Sequence, residues 1–236
     1  MSTYKELAYL VLDELKLSSD DSYFNEEHVY FLLGKYRGFL LKQRYSDIKK
    51  DIPESNYQTV CLNLIEVPAI PDEECEGGTY LRSKETIPYL MKIGSPKVYP
   101  VDYFQGSSIT LVSMQRMRYV GYNRWLPNII YAAFGPDNHL YFKSGNPQFL
   151  YMQRARLTGI FEDPEKAAEL QCEGDTEAPC DPMDKPFPME EALIPQLIEL
   201  VVKELRGSVY SPEDKQNNAD DNLSEVTQRT SRNGNS

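Results

Sequence analysis

Apolar residues near the start of the chain recur at the spacing of a helix. Tyr4, Leu7, Ala8, Val11 and Leu15 form one stripe with a period close to 3.6 residues, which predicts a first helix with a single buried face. Thr3 followed by Glu6 has capping-box spacing, in which each side chain satisfies the other's backbone N–H at a helix start. The run Ser18-Ser19-Asp20-Asp21-Ser22 ends the pattern. It resumes over residues 25 to about 50, with Val29, Leu32, Leu33, Tyr36 and Leu40 on the apolar side, predicting a second helix that pairs with the first. Glu26 and Glu27 open this helix and Arg44, Lys49 and Lys50 close it, matching the helix dipole at both ends. Its lysines and arginines read as a solvated outer face.

From Tyr57 the period drops to two. Val60, Leu62 and Leu64 alternate with Thr59, Cys61 and Asn63, as in a strand with one buried side. Gly77, Gly78, Pro88, Pro96 and Pro100 then leave room only for short strands and loops, the best strand being 109–112. Residues 129–134 and 140–143 flank Gly135-Pro136-Asp137-Asn138 and predict a hairpin. Residues 149–161 read as a third long strand, so 57–161 is a mostly antiparallel β region.

Residues 162–182 are acidic and rich in proline, with one short helix expected near 165–170. A last helix follows, with Ile194, Leu197, Ile198, Val201 and Leu205 on one face. Leu193, Leu200 and Val202 widen that face, so two sides should be covered. Pro195 fits its first turn, and Gly207 is placed as the residue after its end. Beyond residue 210 the chain is almost wholly polar and cannot build a core. At roughly 3.3 Å per extended residue it spans on the order of 80 Å. The resulting expectation is an α+β fold: an N-terminal helical pair and a C-terminal helix, an inserted mostly antiparallel β region, and an extended C-terminal tail. Its parts are 1–56, 57–161, 162–210 and 211–236.

Composition narrows the function. Of 236 residues 41% are hydrophobic, enough for a globular core, and 17 tyrosines stand against one tryptophan, a balance suited to half-buried and interfacial positions. A net charge of -11 argues against gripping nucleic acid, which needs surplus Lys and Arg, but it suits a wall past which DNA slides. The N-terminus lacks signal-peptide layout and no apolar run reaches membrane-spanning length. Cytoplasmic assembly with reduced thiols is therefore expected.

Candidate chemistry is sparse. The four cysteines, Cys61, Cys75, Cys172 and Cys180, form no C-x-x-C pair, and His28 and His139 lie far from them in sequence, so no metal site is expected. No phosphate-binding Gly-rich loop, G-x-S-x-G elbow or H-E-x-x-H occurs, and no catalytic residue or cofactor is assigned. Carboxylate pairs such as Glu73 and Glu74, or Asp220 and Asp221, follow by chance from 36 acidic residues. The exception to the acidity is Arg116, Arg118, Arg124, Arg154 and Arg156, with Tyr119, Tyr122 and Trp125 interleaved among the first three. Arginine with aromatics is the composition of interface hot spots and of nucleic-acid platforms; internal salt bridging is the plainer alternative.

Several strings resemble a known family. These are Asn25-Glu26-Glu27-His28-Val29, the stretch 42–50 ending Asp47-Ile48-Lys49-Lys50, Pro53-Glu54-Ser55-Asn56-Tyr57-Gln58-Thr59, Gly121-Tyr122-Asn123-Arg124-Trp125, Gly135-Pro136-Asp137-Asn138, and Leu197-Ile198-Glu199-Leu200-Val201-Val202-Lys203-Glu204-Leu205 with the Asn/Asp tail. They are similar to a crAss-like bacteriophage virion protein of the head-to-tail connector, or adaptor, family, in its crAss-like form ring protein 1. The resemblance implies a non-enzymatic ring subunit, dodecameric to match the portal protein, with a helical body from which the β-rich stretch of this sequence departs. It also implies a C-terminal extension docking on the portal, contacts to downstream tail ring proteins, DNA as passing cargo in the channel, and no membrane partner. On that reading Leu205, Val209, Tyr210, Leu223 and Val226 are the expected portal anchors. Arg116, Arg118, Tyr122, Arg124 and Trp125 are the expected ring or tail-protein contacts. The alternatives are a virion-associated hydrolase and an unrelated cytoplasmic binding module.

Overall fold

The computed structural model describes residues 2–16, 25–46, 50–68, 79–101, 109–122, 125–170 and 181–208. Helix α1, Tyr4–Lys16, opens on the predicted capping box: Thr3 N donates to Glu6 Oε2 at 2.9 Å and Glu6 N to Thr3 Oγ1 at 3.2 Å. Its buried residues are Tyr4, Leu7, Ala8, Val11 and Leu15, the stripe read from the sequence. Helix α2, Glu26–Arg44, begins at Asn25, whose side chain accepts from Glu27 N.

α2 ends before the expected position near residue 50. Tyr45 leaves helical geometry (φ -110°), and the Lys50 side chain donates to the Arg44 carbonyl at 3.0 Å, so a lysine expected to extend the helix instead satisfies one of its terminal carbonyls. Residues 47–49 lie outside the described residues.

Strand β1, Gln58–Pro68, buries Val60 and Leu62 and turns Thr59 and Asn63 outward, as the alternation predicts. It is followed by β2, Thr79–Ser83, β3, Lys97–Pro100, and β4, Thr110–Leu111. The best strand expected between the prolines thus shrinks to two residues, while β2 and β3 are longer. Helix α3, Met114–Met117, precedes the hairpin β5, Ile130–Phe134, and β6, Leu140–Ser144. Asn138 takes φ +58° in the turn, and the Asp137 carboxylate accepts from the Tyr141 hydroxyl at 2.7 Å.

The predicted long strand over 149–161 divides. Pro147–Tyr151 is a 3-10 turn opened by Asn146, which accepts from Gln148 N, and β7 covers only Arg154–Gly159. Helix α4, Pro164–Glu169, falls where a short helix was expected, and α5 runs Ile194–Ser208. Gly207 lies inside α5 rather than after it; its φ is not positive, so it does not make the left-handed C-terminal turn expected of it.

The strands form one sheet in the order β3-β7-β1-β2-β6-β5-β4. All pairs are antiparallel except β4 with β5. A bridge between Val98 of β3 and Ile109 beside β4 brings the two edges together, so the sheet nearly closes into a barrel. Val60, Leu62, Leu140, Phe142, Ala155 and Leu157 are among the side chains filling it. Burying a side chain such as Phe142 contributes about 1.5–3 kcal/mol.

The chain separates into two units, Met1–Val202 and Lys203–Ser236. In the first, α5 buries Leu197, Val201 and Val202 and packs on the N-terminal helices. In the second, the described residues are the last turns of the same helix, with Leu205 buried.

Cys61 corrects the expectation of reduced thiols: it is disulfide-bonded. Cys75, Cys172 and Cys180 lie outside the described residues. At Cys61 the chain beyond α4 runs against β1, with Cys61 N donating to Leu170 O at 2.7 Å.

Arg37 departs most from the sequence reading. The position expected on a solvated face is 0% exposed, while Tyr36, expected in the core, is half-buried. Arg37 Nε donates to Pro188 O (2.7 Å), one terminal nitrogen to Phe161 O (2.9 Å) and the other to Asn56 O (3.1 Å). One side chain thereby ties α2 to both flanks of the barrel and to the segment before α5. Asn56, also buried, adds a bond from Glu190 N to its Oδ1 at 3.1 Å. Burial lowers the Arg37 pKa to about 10, so the group stays cationic at neutral pH.

Arg37→Met should leave three buried carbonyls without these donors and destabilise the protein by about 3–5 kcal/mol. Thermal unfolding should show a fall of roughly 10 °C or more. Arg37→Lys, unable to span three carbonyls, should recover only part of it; wild-type melting of either variant would remove Arg37 from this role.

Candidate functional site

Two surfaces of the first unit combine exposed aromatics with concentrated charge, and they sit at opposite ends of the β5–β6 hairpin. The first is the loop between α3 and β5. Arg116 on α3 itself and Arg118 just after it are exposed, Tyr119 is 81% exposed and Trp125 87%. Its base is fixed to the end of β6. Ser144 Oγ donates to Pro127 O and Ile129 O, and Asn146 Nδ2 donates to Asn128 Oδ1 at 2.9 Å. Gly121, at φ +92°, lies so close to Gly145 that a Cβ on Gly145 would stand 2.5 Å from the Gly121 carbonyl oxygen, which is why glycine is needed there. Lys143 lies between the Tyr80 and Tyr122 rings, with Nζ 5.3 and 5.1 Å from their centroids.

The second surface is a groove of about 880 Å³ between α2, the segment after β2, the hairpin turn and α4. Phe31 (64% exposed) and Tyr89 (66%) are its exposed aromatics. Glu85, Glu162, Asp163, Glu165 and Glu169 outnumber Lys35 and Lys166 in its lining. Some of these acids are engaged: Glu85 holds Asn63, Lys42 meets Glu162 at 3.3 Å and Lys166 meets Asp163 at 3.0 Å. Burial first, then the charges of Asp163 and Glu169, push the Glu165 pKa up from the usual carboxylate value. Ile87 N bonds to Asn138 O at 2.8 Å, fixing the groove to the hairpin turn.

A further concavity of about 650 Å³ lies past the C-terminal end of α2, where Lys42, Lys50, Lys92 and Lys97 face one carboxylate, Asp51.

The structure gathers only part of the arginine cluster. Arg118, Tyr122 and Trp125 share the α3–β5 loop, Arg116 lies next to it on α3, and Arg124 lies outside the described residues. Arg154 and Arg156 are on β7, which is separated from β5 by β1, β2 and β6 in one direction around the sheet. Of the expected portal anchors, Leu205 is buried in α5, and Val209, Tyr210, Leu223 and Val226 lie outside the described residues, as do Glu73, Glu74, Asp220 and Asp221. His28 stacks on Phe31 with centroids 6.4 Å apart, and His139 Nδ1 sits 2.8 Å from Ser83 O. Among the described residues no group of three or more His, Cys, Asp or Glu side chains gathers as metal ligands would.

Sequence reading missed the groove because its walls come from segments near residues 31, 89 and 165. Phe31, an aromatic outside the apolar stripe of α2, was the available signal.

The nearly closed barrel thus carries two surfaces on which exposed aromatics sit among charges, a composition enriched at protein–protein interfaces, and comparison with known proteins gives the class. The chain belongs to a crAss phage family described as phage tail ring protein 2, whose model matches residues 6–223. It is similar to Ring protein 2 of Bacteroides phage crAss001, at 62% identity over 221 residues, covering 94% of this chain and 98% of that protein. It is therefore a structural component of a phage tail and not an enzyme. The expected crAss-like ring protein is found, but the family is that of ring protein 2, where the sequence resemblance had implied ring protein 1.

The groove makes one electrostatic prediction. Glu165 should titrate above the ordinary glutamate range, and Asp163→Asn should move its midpoint down, because the asparagine keeps the cap on Lys166 N while removing the neighbouring charge. A 13C-detected pH titration of the Glu165 carboxyl reads both; an unchanged midpoint would mean that Asp163 does not act on it.

Proposed function

We propose that this chain is a connector subunit: copies close into a ring that continues the DNA channel between the portal and the tail of the virion, and the polar arm from residue 211 fastens each copy to a neighbouring connector protein. The observation that carries this is the extent of the family match. It runs past the end of α5 at Ser208 to residue 223, so a family of ring proteins shares part of the arm as well as the folded body. A net charge of -11 fits a channel wall that repels the phosphate backbone and lets DNA pass. Head-to-tail contacts that close by rotation build such a ring, with dodecameric symmetry where it meets the portal. The sequence composition of residues 211–236, almost wholly polar, suits a segment that contributes contact area to a partner rather than to a core.

Reconstitution tests the reading. The protein mixed with portal and neighbouring ring proteins should appear in negative-stain images as a closed ring on the connector axis. A version lacking residues 211–236 should melt like the full chain yet lose its place in the stack. Full occupancy of the truncated protein would sink the role given to the arm, and failure of the full chain to enter any ring would sink the connector assignment.

A further inference from the structure

A ring of identical subunits needs two different patches on each subunit, placed so that one meets the other on the next copy. The two surfaces described above have that relation. They lie at opposite ends of one hairpin: the aromatic-arginine loop is fixed at Ser144 and Asn146, the acidic groove at Asn138. A five-residue strand at about 3.3 Å per residue separates them by roughly 17 Å along β5. Their signs are opposite, Arg116, Arg118 and Lys143 against Glu162, Asp163, Glu165 and Glu169. Their shapes are complementary too, because side chains as exposed as Tyr119 and Trp125 stand out from the body while the groove is concave.

We propose that α3 and the loop after it in one copy seat in the α2–α4 groove of the next, with Trp125 and Tyr119 against Phe31 and Tyr89 and with Arg116 and Arg118 facing Glu165 and Glu169. This rests on the ring reading given above and names the surface that closes the ring. Covering Tyr119, Tyr122 and Trp125 removes roughly 400 Å² from solvent, about half of what each partner buries in a standard interface. The lysine-lined concavity does not compete for the groove, since two hollows cannot fill one another.

Charge exchange tests the pairing with the full-length chain. One variant carries Arg116→Glu and Arg118→Glu, the other Glu165→Lys and Glu169→Lys. Each alone places like charges in every contact and should weaken self-association about a hundredfold or more. An equimolar mixture should assemble again, because each variant's loop then meets the other's groove with opposite sign. Mass photometry reads the assembly. Emission of Trp125, the single tryptophan, reads the contact itself, shifting to the blue as the indole leaves water. Thermal melts check folding, and Arg116→Ala with Glu165→Gln supplies a milder pair if a charge-reversed chain does not fold. Variants that assemble like wild type, a mixture that stays apart, or wild-type rings formed with unchanged Trp125 emission would each overturn this interface and leave the ring reading standing. A wild-type chain that never self-associates, alone at any concentration or with its connector neighbours, would overturn the ring reading as well.

Discussion

A buried guanidinium needs partners for its donors, and each of the three Arg37 nitrogens finds a main-chain carbonyl, from three segments far apart in sequence: Asn56, Phe161 and Pro188. Main-chain oxygens move only with their backbones, so this geometry exists only when the segment entering the barrel, the segment leaving it and the approach to α5 all sit in register against α2. The helical pair and the barrel are thus held as one body by a polar knot as well as by apolar packing. Around it lie the Arg44–Glu190 pair at 2.9 Å, the Glu190 N bond to Asn56, and Lys5 reaching Asp181 and Asp184. Lys185, buried and bonded to the Ala168 carbonyl, extends the same arrangement to α4.

That rigidity matters for a ring. A closed assembly repeats one contact many times, and an angular error at each contact accumulates around the circle. In this protein the groove is built from α2, α4 and the hairpin turn, and the protruding loop is fixed at the other end of the same hairpin. The β5–β6 ladder sets their separation, while Arg37 sets α2 against the barrel that contains the ladder. Placing both surfaces on paired strands and packed helices makes the angle between them a property of the fold rather than of a flexible joint.

The acidic character of the chain also has a local pattern that its net charge hides. The arginine-aromatic loop and the lysine-lined hollow past α2 are islands of positive charge, and the carboxylates near α4 form a matched island of the opposite sign. Such patterning serves recognition and exclusion of wrong partners more than stability. Glu165 illustrates the cost, since its carboxylate is held among other acids and partly out of water, a strain that a cationic partner relieves.

The sequence by itself determined what depends on neighbours close along the chain. The α1 stripe, its capping box, the inward alternation of Val60 and Leu62, the β5–β6 hairpin and its turn were all legible because period and turn chemistry act over a few residues. The α+β class followed from those elements, and the matched strings pointed to a crAss-like ring protein. Tertiary structure decided the rest. Arg37 has the sequence context of a surface residue and becomes a core residue because three distant carbonyls converge on it. Pro147 and Asn146 turned an apparent strand into a 3-10 turn, and Lys50 folded back to end α2. The edges of the sheet met at Val98 and Ile109, and Phe31, Tyr89 and Glu165 came to share one groove. Each of these outcomes depends on which remote segments pack together, a constraint that periodicity along the chain does not carry.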